Sequence, residues 1–296
     1  MTERPRTRPH SYASTPVPHR ASVKAARRLL KRSFRQSDGR FLVEGPQAVR
    51  EALAWAAHRG AGLHEVFATS EAASRHPQLI EAANHQGIVV HRVGQDVLAE
   101  LAQTVTPQGI VAVCDVLDEP LDSVLAGSTR LVALLAEVRD PGNAGSVLRA
   151  ADAAGADAVV FSAGSVDPYN GKVVRASVGG LFHVPVVTNV PVLESIDRLR
   201  AAGLQVLAAD GAGSVDLDEA ERSGTLSRPT AWVFGNEAWG LPEQLRDAAD
   251  DVVRIPIYGR AESLNLATAA ALCLYASVRC LPQASGHGPR GTDASF

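Results

Sequence analysis

The chain has 296 residues, of which 46% are apolar and 21% are charged, a composition typical of a globular protein long enough for two domains. No stretch approaches the roughly 18 apolar residues of a membrane helix, and the N-terminus lacks the apolar segment of a secretory signal, so we expect a cytoplasmic protein without a membrane partner. Three cysteines without C-x-x-C spacing favour reduced thiols over disulfides or a zinc site.

Charge is segregated along the chain. Residues 1–40 carry 11 Lys and Arg against two acidic residues, a balance of +9, whereas the remaining 256 residues have a balance of −12. Clustered cations release counterions from phosphates, which favours a polyanionic partner at this end. The alternative is a solvated arm, and four prolines predict disorder for residues 1–20. The predicted nucleic-acid contacts are Arg27, Arg28, Lys31, Arg32, Arg35 and Arg40.

A small α/β domain is predicted over residues 21–116. Its first segment, "SVKAARRLLKRSFRQ", places apolar residues on one face of a single helix and basic residues on the other, a pattern shared by RNA-contacting and core-packed surface helices. Strands and helices then alternate through "FLVEG", "PQAVREALAWAAHRG", "LHEVFAT", "HPQLIEAANHQG", "IVVHRV" and "GIVAVCDV". The polar, turn-rich residues 117–129 are predicted to be a linker.

The second domain is predicted over residues 130–281. Strand candidates are "LVALLAEV", "DAVVFSA", "HVPVVTN", "LQVLAAD", "TAWVFG" and "DVVRIPI", and several are continuous apolar runs, as in strands buried on both faces of a parallel sheet. Helix candidates are "AGSVLRAADAAG", "GKVVRASVGG", "VLESIDRLRAAG" and "NLATAAALCLYASVRC". The last is apolar nearly all round, which predicts full burial. Residues 282–296 are predicted to be disordered.

The segment "DPGNAGSVLR" turns a strand into a helix. It contains Asn143 and Arg149, and a turn of this kind presents main-chain N–H groups to an anion or a polar ligand. The alternative is that Asn143 only caps the helix and Arg149 forms a surface ion pair. A nicotinamide dehydrogenase is disfavoured, because the G-x-G-x-x-G fingerprint and the acidic residue that binds the ribose are missing.

Two further segments follow later strands. In "VFGNEAWGLPEQL", Gly235 and Gly240 bracket Asn236 and Glu237, and in "RIPIYGRAESLNLATAAA" either of two polar residues, Ser263 and Asn265, could cap the last helix. Ligands of open α/β sheets bind at the carboxyl ends of the strands, so the three segments are expected to meet there. Simple strand-to-helix turns are the alternative.

These segments resemble, in order and spacing, the three signature motifs of the SpoU (TrmH-type) RNA ribose 2′-O-methyltransferases of the SPOUT superfamily. The intervening "DPYNGKVVRASVGGLFHVPV" is also similar to the family, and "RFLVEGPQAVREAL" resembles its L30e-like substrate-binding domain. The resemblance covers roughly residues 22–280. It implies a parallel α/β sheet with a trefoil knot, an S-adenosylmethionine cofactor, no metal, and a homodimer with the site near the subunit interface.

The resemblance also implies roles for individual residues. Arg149 matches the proposed base, although a guanidinium with a pKa above about 12 suits a phosphate clamp equally well. The other positions attributed to catalysis and its support are Asn143, Glu237, Ser263 and Asn265. Positions matched to cofactor binding are Gly235, Ile255, Leu264, Asn236, Gly240 and Ala209.

The implied substrate is structured RNA, with ribosomal RNA of the large subunit favoured over transfer RNA. A second class of function is an RNA-binding ribosome-assembly factor that keeps the fold without activity, but all three motifs are intact, which favours an enzyme. A dehydrogenase would instead bind a nicotinamide cofactor.

Overall fold

The computed structural model describes residues 20–282, so the predictions of disorder at both ends lie outside the described residues except at Arg20 and Pro282. The first unit alternates helices and strands, as predicted. Its elements are α1 (Arg20–Arg28), α2 (Arg32–Asp38), β1 (Arg40–Glu44), α3 (Pro46–Arg59), β2 (Leu63–Ala68), α4 (Ser70–Arg75), α5 (Pro77–His85), β3 (Val89–Arg92), α6 (Gln95–Leu101) and β4 (Ile110–Asp115).

The predicted N-terminal helix is two helices, which corrects the sequence-based expectation. The chain leaves the helix at Leu29 and re-enters it after Lys31, whose backbone is extended. The guanidinium of Arg35 donates to the carbonyl oxygens of Leu29 and Leu30 at 2.9 and 3.0 Å. The buried Arg35 side chain thus occupies carbonyl oxygens that would accept main-chain N–H groups in a continuous helix. This tertiary contact overrides the helical periodicity of the sequence.

The first sheet has the strand order β1-β4-β2-β3, in which only the β2–β3 pair is parallel. Alternate side chains of its strands enter separate cores because successive residues point to opposite faces. Phe41 and Val43 of β1 pack with α3 and α5, whereas Leu42 packs with α1 and α6. The sheet is therefore covered by helices on both faces.

The second unit is built on seven parallel strands in the order β7-β6-β5-β10-β8-β11-β9. Four of them, β5, β6, β8 and β10, are buried along almost their whole length, as the continuous apolar runs predict. The elements are α7 (Leu121–Leu125), β5 (Leu131–Leu135), α8 (Pro141–Ala154), β6 (Ala158–Ser162), α9 (Gly171–Ser177), β7 (Val186–Val190), α10 (Val192–Ala201), β8 (Gln205–Ala209), β9 (Val215–Asp216), α11 (Leu217–Arg222), β10 (Thr230–Phe234), α12 (Glu243–Asp247), β11 (Asp251–Arg254) and α13 (Leu266–Cys280).

Helices α8, α9 and α13 cover one face of the parallel sheet, and α7, α10 and α12 cover the other. Full burial of α13 was predicted, and the structure corrects this. Its inner side packs on the sheet and α8 through Cys273 and Leu274, but Leu272, Tyr275 and Val278 are exposed on its outer side. A single subunit has one sheet face for this helix, so part of its apolar surface is left outside.

The two units are joined by packing and by buried polar contacts. The Phe41 and Tyr169 rings lie 4.7 Å apart, and the core of the first unit continues into that of the second. Arg35 of α2 bonds Asp167, and Arg175 of α9 bonds Glu44. The first unit is therefore fastened beside the carboxyl edge of the parallel sheet. Across residues 20–282, none of the helices has the length and apolar character needed to span a bilayer.

A third polar contact between the units is made by His183. Its ring nitrogens lie 2.9 Å from Asp152 on α8 and 3.3 Å from Glu51 on α3. Burial lowers the pKa of this imidazole, but the hydrogen bonds and charges of the two carboxylates outweigh burial, and the pKa is raised. Protonated His183 thus links one acidic residue from each unit.

Candidate active site at the carboxyl edge of the parallel sheet

Three loops meet where the central parallel strands end. Phe234, the last residue of β10, pairs with Leu135 of β5 on one side and with Ala209 of β8 on the other. Ala209 in turn pairs with Val253 of β11. The strands end level with one another, so the three segments singled out in the sequence leave the sheet side by side.

Glu237 joins the loop after β10 to the loop after β5. Its carboxylate accepts hydrogen bonds from the main-chain N–H groups of Arg139 and Asp140, at 3.2 and 3.1 Å, and from Asn143 Nδ2 at 3.3 Å. A carboxylate with three N–H donors is held in position and also favoured near the N-terminus of α8. Glu237 therefore fixes the geometry of the opening turn of α8.

Asn143 connects this turn to the third segment. Its Oδ1 accepts a hydrogen bond from Asn265 Nδ2 at 2.9 Å, while its own Nδ2 donates to Glu237. The N-cap of α8 is Asp140, whose carboxylate accepts the Asn143 N–H at 2.7 Å, so the alternative of Asn143 as a simple cap is wrong. A chain of amide and carboxylate groups thus links all three segments.

Asn265 is the N-cap of α13, and its Oδ1 accepts the N–H groups of Ala267 and Thr268. Because the other end of the same amide donates to Asn143, one side chain both starts the helix and attaches it to α8. Ser263 lies two residues earlier, exposed, and makes no hydrogen bond within residues 20–282. Of the two polar residues predicted as caps, Asn265 therefore caps the helix and contacts Asn143, and Ser263 does neither.

The turn after β10 is tightly closed. Asn236 and Gly240 exchange two main-chain hydrogen bonds, and Asn236 Nδ2 donates to the carbonyl of Glu137 at 2.7 Å. A Cβ on Gly235 would lie 2.5 Å from the main-chain carbon and oxygen of Gly240, closer than any side chain tolerates. The glycine at 235 is required because two main-chain segments pass each other there.

The loop between β11 and α13 presents main-chain groups that are not paired. In the described part of the chain, no main-chain N–H or carbonyl group of residues 256–264 forms a hydrogen bond. Ala209 and Ile255 are half-buried beside this loop, and Leu264 is exposed. The predicted cofactor positions therefore combine apolar surface with free main-chain donors and acceptors.

Arg149 lies apart from the hydrogen-bonded chain of Asn143, Glu237 and Asn265. It is exposed on the third turn of α8, and it forms no ion pair or hydrogen bond with any described residue. Within one subunit, neither Asn143 nor Glu237 forms a hydrogen bond or ion pair with the Arg149 guanidinium. All five N–H donors of this side chain are therefore available to a ligand.

Most of the predicted RNA-contacting residues lie on the surface of the first unit, and one does not. The exposed residues are Arg27, Arg28, Lys31, Arg32 and Arg40. Arg35 is buried, and its guanidinium donates to Asp167 at 2.6 and 2.9 Å. The prediction of an RNA contact at Arg35 is corrected, because the guanidinium fastens α2 to the second unit.

Sequence reasoning missed several residues at this edge. Glu137 adopts a left-handed backbone with φ of 52°, which is uncommon outside glycine and marks a sharp turn after β5. Arg139 and Trp239 lie on the two neighbouring loops with the guanidinium 4.9 Å from the ring centroid. No local sequence pattern predicts this contact, because the two residues are 100 positions apart.

Gly145, within the segment "DPGNAGSVLR", serves helix packing. A Cβ there would lie 2.5 Å from Ala176 Cβ and 2.6 Å from the Val173 carbonyl oxygen on α9. The glycine lets α8 and α9 approach closely and is not part of a ligand-binding turn. Within residues 20–282 there is also no cluster of three His, Cys, Asp or Glu side chains suited to a metal ion.

Comparison with protein families gives two matches that follow the two units. Residues 130–275 match the SpoU rRNA Methylase family, and residues 20–112 match the MRM3-like substrate binding domain. The chain is 36% identical over 255 residues to the 23S rRNA (guanosine(2553)-2′-O)-methyltransferase RlmP of Bacillus subtilis, a match that covers 86% of this chain and 94% of the relative.

Solved structures with a similar fold are also RNA methyltransferases. An AdoMet-bound rRNA methyltransferase from Sinorhizobium meliloti superposes with a TM-score of 0.74 at 31% identity, covering 88% of this chain and 95% of the other. The SpoU methyltransferase AviRb from Streptomyces viridochromogenes, in complex with AdoMet, gives a TM-score of 0.73 at 31% identity over 88% and 98% of the two chains. The fold is thus that of the SPOUT methyltransferases. The chain belongs to the SpoU family of RNA methyltransferases.

Proposed function

We propose that this protein transfers the methyl group of S-adenosylmethionine to a ribose 2′-hydroxyl of ribosomal RNA of the large subunit. The observation that carries the proposal is the hydrogen-bonded chain Glu237–Asn143–Asn265, which assembles the three family motifs into one site. Named 23S rRNA 2′-O-methyltransferases among the relatives support this substrate. The match of the first unit to a substrate-binding domain supports it as well.

The residues present fit the cofactor. The narrow turn at Gly235, the half-buried Ala209 and Ile255, and the unpaired main-chain groups of residues 256–264 offer apolar contact and hydrogen bonds to a nucleoside. Asn236 and Gly240 hold the turn, and Leu264 contributes apolar surface. When bound, S-adenosylmethionine supplies a methyl group on a sulfonium, which is already an activated electrophile and needs no metal.

Arg149 acts on the RNA in this proposal. Without a carboxylate partner among the described residues, its guanidinium keeps its planar donor pair for a phosphate beside the target ribose and for the negative charge that develops on the 2′-oxygen. We assign it the role of clamp over that of base, because a guanidinium stays charged in proteins and offers only hydrogen-bond donors. Ser263 lies exposed two residues before Asn265, which contacts Asn143.

The remaining polar residues position the site. Glu237 and Asn143 hold the opening turn of α8, and Asn265 attaches α13 to it, so the groups that meet the ribose are ordered before RNA binds. The exposed basic residues of α1 and α2, from Arg27 to Arg32, and Arg40 give the first unit a surface for RNA phosphates.

A knotted homodimer in the cytoplasm completes the proposal. Strand β11 lies between β8 and β9, which are consecutive in the chain, and such an insertion of a late strand supports the trefoil knot of the family. The exposed stripe Leu272, Tyr275 and Val278 on α13 supports a second copy against this helix, because an apolar stripe of this kind is an interface signal.

Transfer of labelled methyl to separate pools of protein-free ribosomal and transfer RNA tests the proposal. Label in ribosomal RNA that is recovered as a 2′-O-methylated nucleoside is the expected result, and its position identifies the nucleotide. Label in transfer RNA alone would reassign the substrate. Tight binding of S-adenosylhomocysteine with no transfer to either pool, or to immature ribosomal particles, would favour a silent assembly factor.

A further inference from the structure

Trp239 is unusually exposed for the largest apolar side chain. The chain has three tryptophans. Trp232 is fully buried in the sheet and Trp55 packs partly buried against the first core, but 51% of Trp239 faces solvent. A tryptophan ring in a packing role is largely covered, so an exposed ring in a tightly held turn indicates a contact surface.

The ring is held between two ordered loops. It stands on the turn closed by the Asn236–Gly240 bridge, and one of its faces is near the Arg139 guanidinium at 4.9 Å. The main-chain N–H of Arg139 donates to Glu237, two residues before the tryptophan. The same carboxylate thus sets the spacing of both members of the pair, which we call the Trp239–Arg139 platform.

The turn that carries the platform borders both parts of the proposed site. Through Glu237 its turn is attached to the loop after β5 and to Asn143 on α8, the helix that carries Arg149. Of the predicted cofactor positions, Ala209, Ile255 and Leu264 belong to the strands and loop on the other side of β10, whereas Gly235, Asn236 and Gly240 lie in the turn of Trp239 itself. An occupant of the platform would therefore approach the same helix as the target ribose.

We propose that the Trp239–Arg139 platform stacks an unpaired nucleobase of the substrate RNA. The inference rests on the proposed function and adds a base-contacting subsite to it. Every base has a π-face, and proteins that bind unpaired RNA use aromatic rings and Arg planes to stack such faces. Arg139 adds a cation beside the backbone of the stacked nucleotide, since its side chain is 62% exposed and pairs on one side only with the Glu137 carboxylate, at 3.6 Å.

The test uses the full chain with Trp239→Ala, Trp239→Leu and Trp239→Phe, and protein-free ribosomal RNA as the probe. Stacking predicts a rise in the RNA Kd of roughly five- to hundredfold for the Ala and Leu variants and near recovery for Phe. The Leu variant keeps apolar bulk without a π-face and is the matched control for packing. Unchanged RNA affinity in Trp239→Leu would overturn the platform.

Two further readouts separate stacking from other roles. S-adenosylhomocysteine affinity should be unchanged in all three variants. If that affinity falls while RNA affinity does not, Trp239 contacts the cofactor and not the RNA. Trp239→Ala should leave the salt dependence of RNA binding unchanged, whereas Arg139→Gln should lower the slope of log K against log salt by about one.

Tryptophan fluorescence tests the platform independently of methyl transfer. RNA should quench the wild-type emission, and Trp239→Phe, which retains Trp55 and Trp232, should lose this quenching. Quenching that persists in Trp239→Phe would contradict the inference. If wild type shows quenching but transfers no methyl, the enzymatic proposal fails while the stacking site stands, so the two failures are distinguishable.

Discussion

The ion pair between Arg35 and Asp167 should be a main determinant of how firmly the two units are joined. Both side chains are nearly inaccessible, with exposures of 5% and 11%, and Arg35 also donates to two carbonyls at the break between α1 and α2. Arg35→Met keeps the aliphatic stem and removes four hydrogen bonds. Removing one partner of a buried ion pair costs about 3–5 kcal/mol, because the other charge is left without compensation.

The lower end of that range applies to Asp167, which still accepts the Tyr169 N–H at 2.9 Å. A loss of about 3 kcal/mol corresponds to a fall in Tm of about 6–12 °C for a chain of this size. Circular dichroism during heating measures this shift, and Arg32→Met is the matched control. Arg32 is exposed without an ion pair among the described residues, so its loss should change stability by less than about 0.5 kcal/mol.

A double variant sharpens the assignment. Arg35→Met with Asp167→Asn removes both charges, so part of the lost stability should return. The reasoning is refuted if Arg35→Met melts with the wild type, or if Arg32→Met is destabilised equally. RNA affinity should show the opposite order, with Arg32→Met weakened through the lost phosphate contact.

Three other changes address the turn, the subunit interface and the contact between units. Gly235→Ala places a Cβ against the main chain of Gly240, so S-adenosylhomocysteine should bind at least about tenfold more weakly by calorimetry. The control is Gly127→Ala, because a Cβ at Gly127 meets nothing within 4 Å. Equal affinity in both variants would contradict the account. Leu272→Arg should convert a dimer to a folded monomer by light scattering, and an unchanged mass would place the interface elsewhere. The raised pKa of His183 means that its stabilisation is complete below the unfolded value of about 6.5 and is lost as pH rises through the folded value. The difference in Tm between wild type and His183→Gln should therefore shrink with rising pH, and a constant difference would show that protonation is irrelevant.

The architecture of the second unit could be predicted because its signals are local. Apolar runs such as the one that forms β5 mark strands buried on both faces, and glycine or proline punctuates the loops between elements. The prediction of a single N-terminal helix was wrong because the signal that decides it is not local. The break between α1 and α2 depends on Arg35 reaching Asp167, 132 residues away, and no periodicity within the segment contains that information.

At the site, the resemblance singled out Asn143, Glu237 and Asn265, and the structure shows how they touch. Their separations of 94 and 122 residues put these contacts beyond any local pattern. The roles of the predicted residues remain proposals. The contact between Trp239 and Arg139 could not be predicted, because neither residue belongs to a recognisable local pattern. The two residues meet because β5 and β10 end at the same level of the sheet.

The most direct test of the central claim compares methyl transfer by wild type and Arg149→Ala on the same protein-free ribosomal RNA, with S-adenosylhomocysteine affinity measured for both. The account predicts ribose methylation by the wild type and a loss of about a hundredfold or more in kcat for the variant. Cofactor affinity should be equal, because Arg149 forms no hydrogen bond or ion pair with the predicted cofactor positions among the described residues. Undiminished transfer by Arg149→Ala would contradict the account.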